Sequence, residues 1–326
     1  MADPMERNLA LELVRVTEAA AIAAGRWMGR GDKNGADGAA VEAMRGMLAR
    51  IDMDGVVVIG EGEKDEAPML FIGEEIGNGH PPRVDIAVDP IDGTRLLSLG
   101  MPGAIAVVAL AERGCMYGAP PGVFYMHKIA VGKRARGAID ATASVAQNIA
   151  SVSRTLGREK GNITVMVLDR PRHEQMIKEI RATGARVRLI PDGDVAGAIT
   201  AAEEGTGVDM LMGIGGAPEA VVAACALKAM GGDLQCRLYF RDETERRNAE
   251  ALGVDPDAVM TIDDLVKGDD CFFAGTGITN GELLRGVRYT EDGAITESVV
   301  MRARSGTTRY IRAVHGRDKL SRIIGE

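Results

Sequence analysis

Between residues 163 and 230 short apolar runs alternate three times with helical stretches: strands at 163–168, 186–190 and 210–213, helices at 174–182, 195–203 and 219–230. None of these pieces can bury its apolar face alone, so the pattern predicts a sheet, mostly parallel here, layered with helices. Upstream, Leu9, Leu13, Val16, Ile22 and Trp27 mark an amphipathic helix, and Val41, Met44, Leu48 and Ile51 mark a second over 39–51. The polar stretch 31–38 between them reads as a loop. Apolar runs at 55–60, 84–88 and 104–111 predict three strands. Beyond residue 240 come a charged helix over 243–252, a strand at 271–274, and a hairpin flanking Glu291, Asp292 and Gly293. The whole is expected to be a mixed α/β protein. A chain of 326 residues exceeds the reach of one core, which predicts two lobes, 1–155 and 156–326. With no low-complexity linker between them, they should pack closely as a single catalytic unit.

A formal charge of -8 leaves no broad basic face, so nucleic acid is not an expected partner. Cys115, Cys225, Cys236 and Cys271 are too scattered for a zinc knuckle or a disulfide scaffold. The first residues carry acids and lead directly into a helix, unlike a signal peptide, and no run approaches the ~20 apolar residues of a membrane span. A cytoplasmic protein is expected.

The most informative segment is Asp89, Pro90, Ile91, Asp92, Gly93, Thr94, which follows the run 84–88. Residues three apart in a tight turn have Cα atoms within ~7 Å, so Asp89 and Asp92 can converge. Two carboxylates at 4 Å repel by about 4 kcal/mol at an effective dielectric near 20, a repulsion that a hard cation such as Mg²⁺ or Mn²⁺ relieves. Asp, Pro and Gly are also ordinary turn formers, and the motif alone fits both readings. Glu61, Glu63 and Asp65 follow the strand 55–60; if that strand lies beside 84–88, Glu61 comes next to Asp89. Asp37, just ahead of the second helix, is an N-cap or a third ligand. Thr94 either caps the next segment or holds a water for attack on phosphorus. Arg170, Pro171 and Arg172 end the strand 163–168 with two guanidinium groups suited to phosphate, and Asp192, Gly193 and Asp194 offer acceptors for sugar hydroxyls after the next strand. The turn Gly213, Ile214, Gly215, Gly216 opens a helix where backbone can approach a ligand, and Glu219 there either complements the helix dipole or closes a metal site from the other lobe.

Taken in order, GRGDKNGADGAAV, VVIGEGEKDEAPML, VDIAVDPIDGTRL, FYMHK, LDRPRH, IPDGDVAGAI, GIGGAPEAV and FFAGTGITNGELLRGV resemble the class II fructose-1,6-bisphosphatases of bacteria from near residue 6 to beyond 310. The DPIDGT core is similar to the wider inositol monophosphatase-like superfamily of metal-dependent phosphatases. The resemblance implies a layered αβαβα sandwich, a sugar bisphosphate substrate and a homo-oligomer, dimer or tetramer. It places Asp37 and Glu61 on one Mg²⁺ or Mn²⁺ and Asp89, Asp92 and Glu219 on another. Thr94 would act on the attacking water, with Lys33, Glu63 and Asp65 around it. Substrate contacts would fall on Asp92, Gly93, Thr94, Tyr125, Arg170, Pro171, Arg172, Asp192, Gly193, Asp194 and Gly216. Gly35 stands where many members have Thr, Gly103 where Asn is frequent and Ala220 where Gly is usual; none of the three removes a ligand.

Three other readings compete. An inositol or nucleotide monophosphatase would share the acidic core and differ in substrate. A dinucleotide-dependent oxidoreductase is suggested by the glycines at 213–216, but the spacing is not GxGxxG and Glu219 would face a pyrophosphate with like charge. A sugar-phosphate sensor without catalysis has no use for so many converging acids.

Overall fold

The computed structural model describes residues 9–60, 70–119 and 124–316. In chain order, α1 (Leu9–Gly25) and α2 (Lys33–Leu48) precede β1 (Asp54–Ile59), β2 (Glu75–Ile76), β3 (Arg83–Asp92), α3 (Thr94–Ser98) and β4 (Ile105–Glu112). A second run follows: β5 (Tyr125–Val131), α4 (Val145–Leu156), β6 (Thr164–Leu168), α5 (Glu174–Ala182), β7 (Arg186–Ile190), α6 (Asp194–Ala202), β8 (Met210–Gly216), α7 (Ala217–Met230), β9 (Asp233–Tyr239), α8 (Glu243–Ala251), β10 (Val259–Thr261) and α9 (Ile262–Leu265). The chain closes with β11 (Cys271–Gly277), β12 (Arg288–Thr290), β13 (Gly293–Arg302) and β14 (Thr307–Gly316). The protein is thus mixed α/β with two mixed sheets and nine α-helices among the described residues, consistent with a layered α/β sandwich. None of these helices is long and apolar enough to cross a membrane.

Two compact units divide the chain, residues 1–116 with 268–326 and residues 117–267. The boundary expected at 155 therefore falls elsewhere, for a reason visible in the sheet. Strand β4 is apolar along its length and needs a neighbour on both sides. One is β3, and the other is β11 from near the chain's end, paired from Cys271↔Ala111 to Gly277↔Ile105. The hairpin around Glu291 and Asp292 forms as expected, with Thr290 opposite Gly293.

In the first unit the sheet runs β12-β13-β11-β4-β3-β1-β2, with β14 on β13. The alanine-rich α1 is buried along nearly all its length, and α1 and α2 share one core with Ala104 and with the even-numbered side chains Ala106, Val108 and Leu110 of β4. Helix α2 starts six residues earlier than its apolar stripe predicts. Asp32 caps it, accepting the Gly35 N–H at 2.9 Å, and this bond draws the polar stretch 33–38 into the helix. Glycines inside a helix each cost about 1 kcal/mol, and at Gly35 packing explains the choice. A Cβ there would collide with the Trp27 ring, which suits the absence of Thr at this position.

In the second unit the order is β10-β9-β5-β8-β6-β7. Among the described residues only the β6–β7 and β6–β8 pairs are parallel, whereas β5 runs antiparallel to both β8 and β9. The sheet is mixed rather than mostly parallel, because β5 and β9 lie outside the alternating segment from which the expectation came.

Candidate active site

Strands β1 and β3 are parallel neighbours, with Ile59 opposite Ala87. The carboxyl end of β3 therefore carries the acidic motif as expected, although the motif is not a tight turn. Strand β3 continues through Asp92, and its register slips: Asp89 pairs with Val107 and Asp92 with Ile105. Three residues on β3 thus span two on β4, a bulge that brings side chains three apart to the same side of the pleat. Asp89 Oδ1 accepts the Ile91 N–H at 3.0 Å, while Asp92 is 4 % exposed. Glu61, Glu63 and Asp65 lie outside the described residues.

Gly93 takes a left-handed φ of 97° and turns the chain into α3, whose first residue is Thr94. Thr94 caps nothing; its Oγ1 lies 3.3 Å from Asp37 Oδ1 and 3.2 Å from the Ile91 carbonyl, both as donor. Asp37 reaches this point from inside α2, one turn after Lys33, and is not the N-cap. Burial raises the Asp37 pKa, opposed by the Thr94 hydroxyl and the Lys33 charge. Two helix residues 57 positions apart in sequence, Asp37 of α2 and Thr94 of α3, therefore meet.

The second unit gathers the other expected residues at one end of its sheet. Arg170 pairs with Asp192 at 2.7 Å and donates to the Pro191 carbonyl. Arg172 donates to the Ile214 carbonyl at 2.8 Å and lies 5.2 Å over the Tyr125 ring. Tyr125 stands opposite Gly216 in the β5–β8 pairing. Pro171 and Gly193 shape the two turns, at the first residue of a 3₁₀ turn and at the α6 N-cap. Asp194, expected as a free acceptor, is buried, and its Oδ2 holds the Lys128 Nζ at 2.5 Å. Glu219 lies in the first turn of α7, and a Cβ on Gly216 would collide with its carboxylate. Its Oε2 is shut off from solvent and has no hydrogen-bond partner among the described residues. Burial and the charge of Asp194 raise the Glu219 pKa, with Lys128 pulling the other way.

No group of three or more His, Cys, Asp or Glu side chains able to hold a metal ion occurs among the described residues. What the described acids offer still fits a hard divalent cation, since the donors are carboxylates alone and one buried carboxylate oxygen of Glu219 lacks a partner.

Two residues at the site carry no role in the sequence reading. Lys128 is one, a lone ammonium within the strand YMHKIAV. His173 is the other, 0 % exposed. Its Nε2 accepts the Ile214 N–H at 2.7 Å, so Nδ1 carries the proton and donates to the Leu168 carbonyl at 2.7 Å. The ring thus ties the ends of β6 and β8 together beneath Arg170 and Arg172. Burial lowers its pKa, the two arginines adding to the effect, so the native state binds fewer protons here than the unfolded chain. Its contribution to stability is full above the unfolded value of 6.5 and declines as pH falls below it. Denaturant melts of His173→Gln should show a loss of about 2–4 kcal/mol at pH 7.5, shrinking toward pH 5; a pH-independent loss would contradict the tautomer.

The first unit carries acids and a hydroxyl at the strand ends of its sheet, and the second carries guanidinium groups and a tyrosine at those of its own, groups of the kinds that α/β enzymes acting on phosphate esters use. The family model described as bacterial fructose-1,6-bisphosphatase, glpX-encoded, matches residues 7–315. The chain is 47% identical over 333 residues to the protein named fructose-1,6-bisphosphatase class 2 of Haemophilus influenzae, covering 98% of this chain and 99% of that one. It is 45% identical over 328 residues to fructose-1,6-bisphosphatase 1 class 2 of Escherichia coli K12, covering 97% of each. The chain belongs to the class II fructose-1,6-bisphosphatase family.

Proposed function

We propose that the protein hydrolyses the 1-phosphate of fructose 1,6-bisphosphate, releasing fructose 6-phosphate and inorganic phosphate. The observation that carries this reading is the meeting of the Thr94 hydroxyl with Asp37 at the strand end bearing Asp89 and Asp92. Donating its own proton to Asp37 leaves the Thr94 oxygen as an acceptor that orients a water by one of its hydrogens. The water oxygen forms the new bond to phosphorus, the bond from phosphorus to the sugar's O1 breaks, and O1 takes up a proton. Asp37, Glu61, Asp89, Asp92 and Glu219 would hold Mg²⁺ or Mn²⁺, which when bound neutralises the phosphate and lowers the pKa of the nucleophilic water. Lys33 balances the charge of Asp37, and Asp65 and Glu63 would complete the acidic surroundings. Arg170, Arg172 and Tyr125 take the phosphosugar, with Pro171 and Gly193 setting their turns and Gly216 leaving room for close approach. Asp192 and Asp194 take its hydroxyls. A homo-oligomer working in the cytoplasm fits this reading.

The test is a phosphate-release assay over fructose 1,6-bisphosphate, sedoheptulose 1,7-bisphosphate, inositol 1-phosphate and a nucleoside monophosphate. The expected result is that kcat/KM for fructose 1,6-bisphosphate exceeds that for either monophosphate by at least about 10²-fold, the discrimination available to a site that hydrogen-bonds its substrate. Equal rates on inositol 1-phosphate would refute it.

A further inference from the structure

Lys128 occupies the middle of β5 and is 3 % exposed. Across the sheet it faces Gly213 on β8 and Cys236 on β9, neither of which offers a charge at neutral pH. Its Nζ donates to Asp194 Oδ2 at 2.5 Å, and the ammonium also lies in the field of Glu219. The neighbouring backbone is cleared for this pair: a Cβ on Gly215 would strike Asp194 Oδ2 and come within 2.9 Å of the Lys128 Nζ.

The sheet itself does not need this arrangement. Burying an ammonium and a carboxylate costs several kcal/mol per ion, and apolar side chains of similar volume commonly replace such pairs without loss of stability. A methionine at 128 would fill the same space beside Met126 and Ala130, the buried residues on its own face of β5. What the ion pair adds is direction. Asp194 opens α6 directly after the left-handed Gly193, a position where a short carboxylate can turn about its side-chain bonds. With Oδ2 held from below by Lys128, the carboxylate plane is set and Oδ1 is left for a ligand. Asp192, two residues earlier, is held from its own side by Arg170.

We propose that Lys128 is a positioning residue for the sugar: by gripping Asp194 Oδ2 from within the sheet, it fixes the carboxylate that receives the sugar hydroxyls. The inference rests on the reading that residues 192–194 meet the sugar. Lys128 touches no substrate atom, and its effect appears in affinity more than in the chemical step.

The experiment compares metal-loaded wild type with Lys128→Met, Lys128→Arg, Asp194→Asn and the double variant Lys128→Met/Asp194→Asn. Calorimetry gives the Kd of fructose 6-phosphate, and steady-state kinetics give KM and kcat for fructose 1,6-bisphosphate. Lys128→Met is expected to raise Kd and KM by about tenfold or more with a smaller change in kcat, as when a charged hydrogen-bonding group loses its alignment. Lys128→Arg should recover most of the affinity. Asp194→Asn should match Lys128→Met, and the double variant should be no weaker than Asp194→Asn alone. Should Lys128→Met fail to fold, the double variant, which leaves no unpaired buried charge, decides by the same comparison. Wild-type Kd in Lys128→Met, a fall in kcat alone, or a further tenfold loss in the double variant overturns the role of Lys128. Wild-type Kd in Asp194→Asn overturns the sugar assignment of 192–194 and the role of Lys128 with it.

Discussion

Thr94→Ala is expected to lower kcat for fructose 1,6-bisphosphate by about 10²–10⁴-fold while KM moves by less than about threefold, the range for losing a positioned proton-handling group. The expectation follows from where the hydroxyl stands. It begins α3 with no capping duty, half-buried, and aims at Asp37 across 57 residues of sequence. Alanine fits the first turn of a helix at least as well as threonine, so folding is not the casualty. Thr94→Ser keeps the oxygen and should retain activity within about tenfold, since only the methyl that fixes χ1 is lost. A Thr94→Ala enzyme with wild-type kcat would end the assignment, and a variant with raised KM and intact kcat would move Thr94 from the reacting water to the substrate.

The same residue marks how far sequence reading reaches. That Asp89, Asp92 and Thr94 gather where a strand gives out was legible, because an apolar run stops where Asp, Pro and Gly begin, although β3 itself runs on through Asp92. The bulge was not, since it exists only in the pairing of β3 with β4. Residues three apart read as a turn when the partner strand is unknown. Asp37 was misplaced for a related reason. The apolar period of α2 becomes clear only from about Val41, whereas its start is set by one side-chain bond from Asp32. Element limits in the alternating segment were legible almost to the residue, as at helix α5 and strand β7, because each is bounded by turn residues.

The division of the chain was hidden more deeply. Nothing local in Cys271–Gly277 announces that it completes the sheet begun more than 150 residues earlier, and only the burial of β4 on both sides requires it. Lys128 was hidden because it sits in an apolar strand where a polar side chain reads as an interruption, and His173 because the run 169–175 around it is polar and reads as solvated. Burial turns the argument around. A charged or titratable group kept inside a sheet must have partners, and the partners found here are Asp194 and two backbone groups at the mouth of the candidate site.

Removal of divalent cations should have the largest effect of all. Treatment with a chelator is expected to reduce phosphate release to below about 1% of its starting rate, and added Mg²⁺ or Mn²⁺ to restore it, because carboxylates alone cannot offset the charge of a phosphate ester. A second readout comes from the folded protein without turnover. Glu219 holds a carboxylate oxygen out of solvent with no partner among the described residues, and burial raises the pKa of Asp37, so both acids are less comfortable empty than loaded. An ion that binds only the native state stabilises it by about 2.7 kcal/mol at one hundred times its Kd. For a chain of this size that is a rise in Tm of roughly 3–8 °C. Glu219→Gln should shrink the rise, since the amide supplies a neutral oxygen in place of a charged one. Full activity in metal-free protein would remove the basis for the acidic cluster. A Tm indifferent to Mg²⁺ and Mn²⁺ in wild type, with activity nonetheless dependent on them, would instead place the ion with the incoming substrate and not with these side chains.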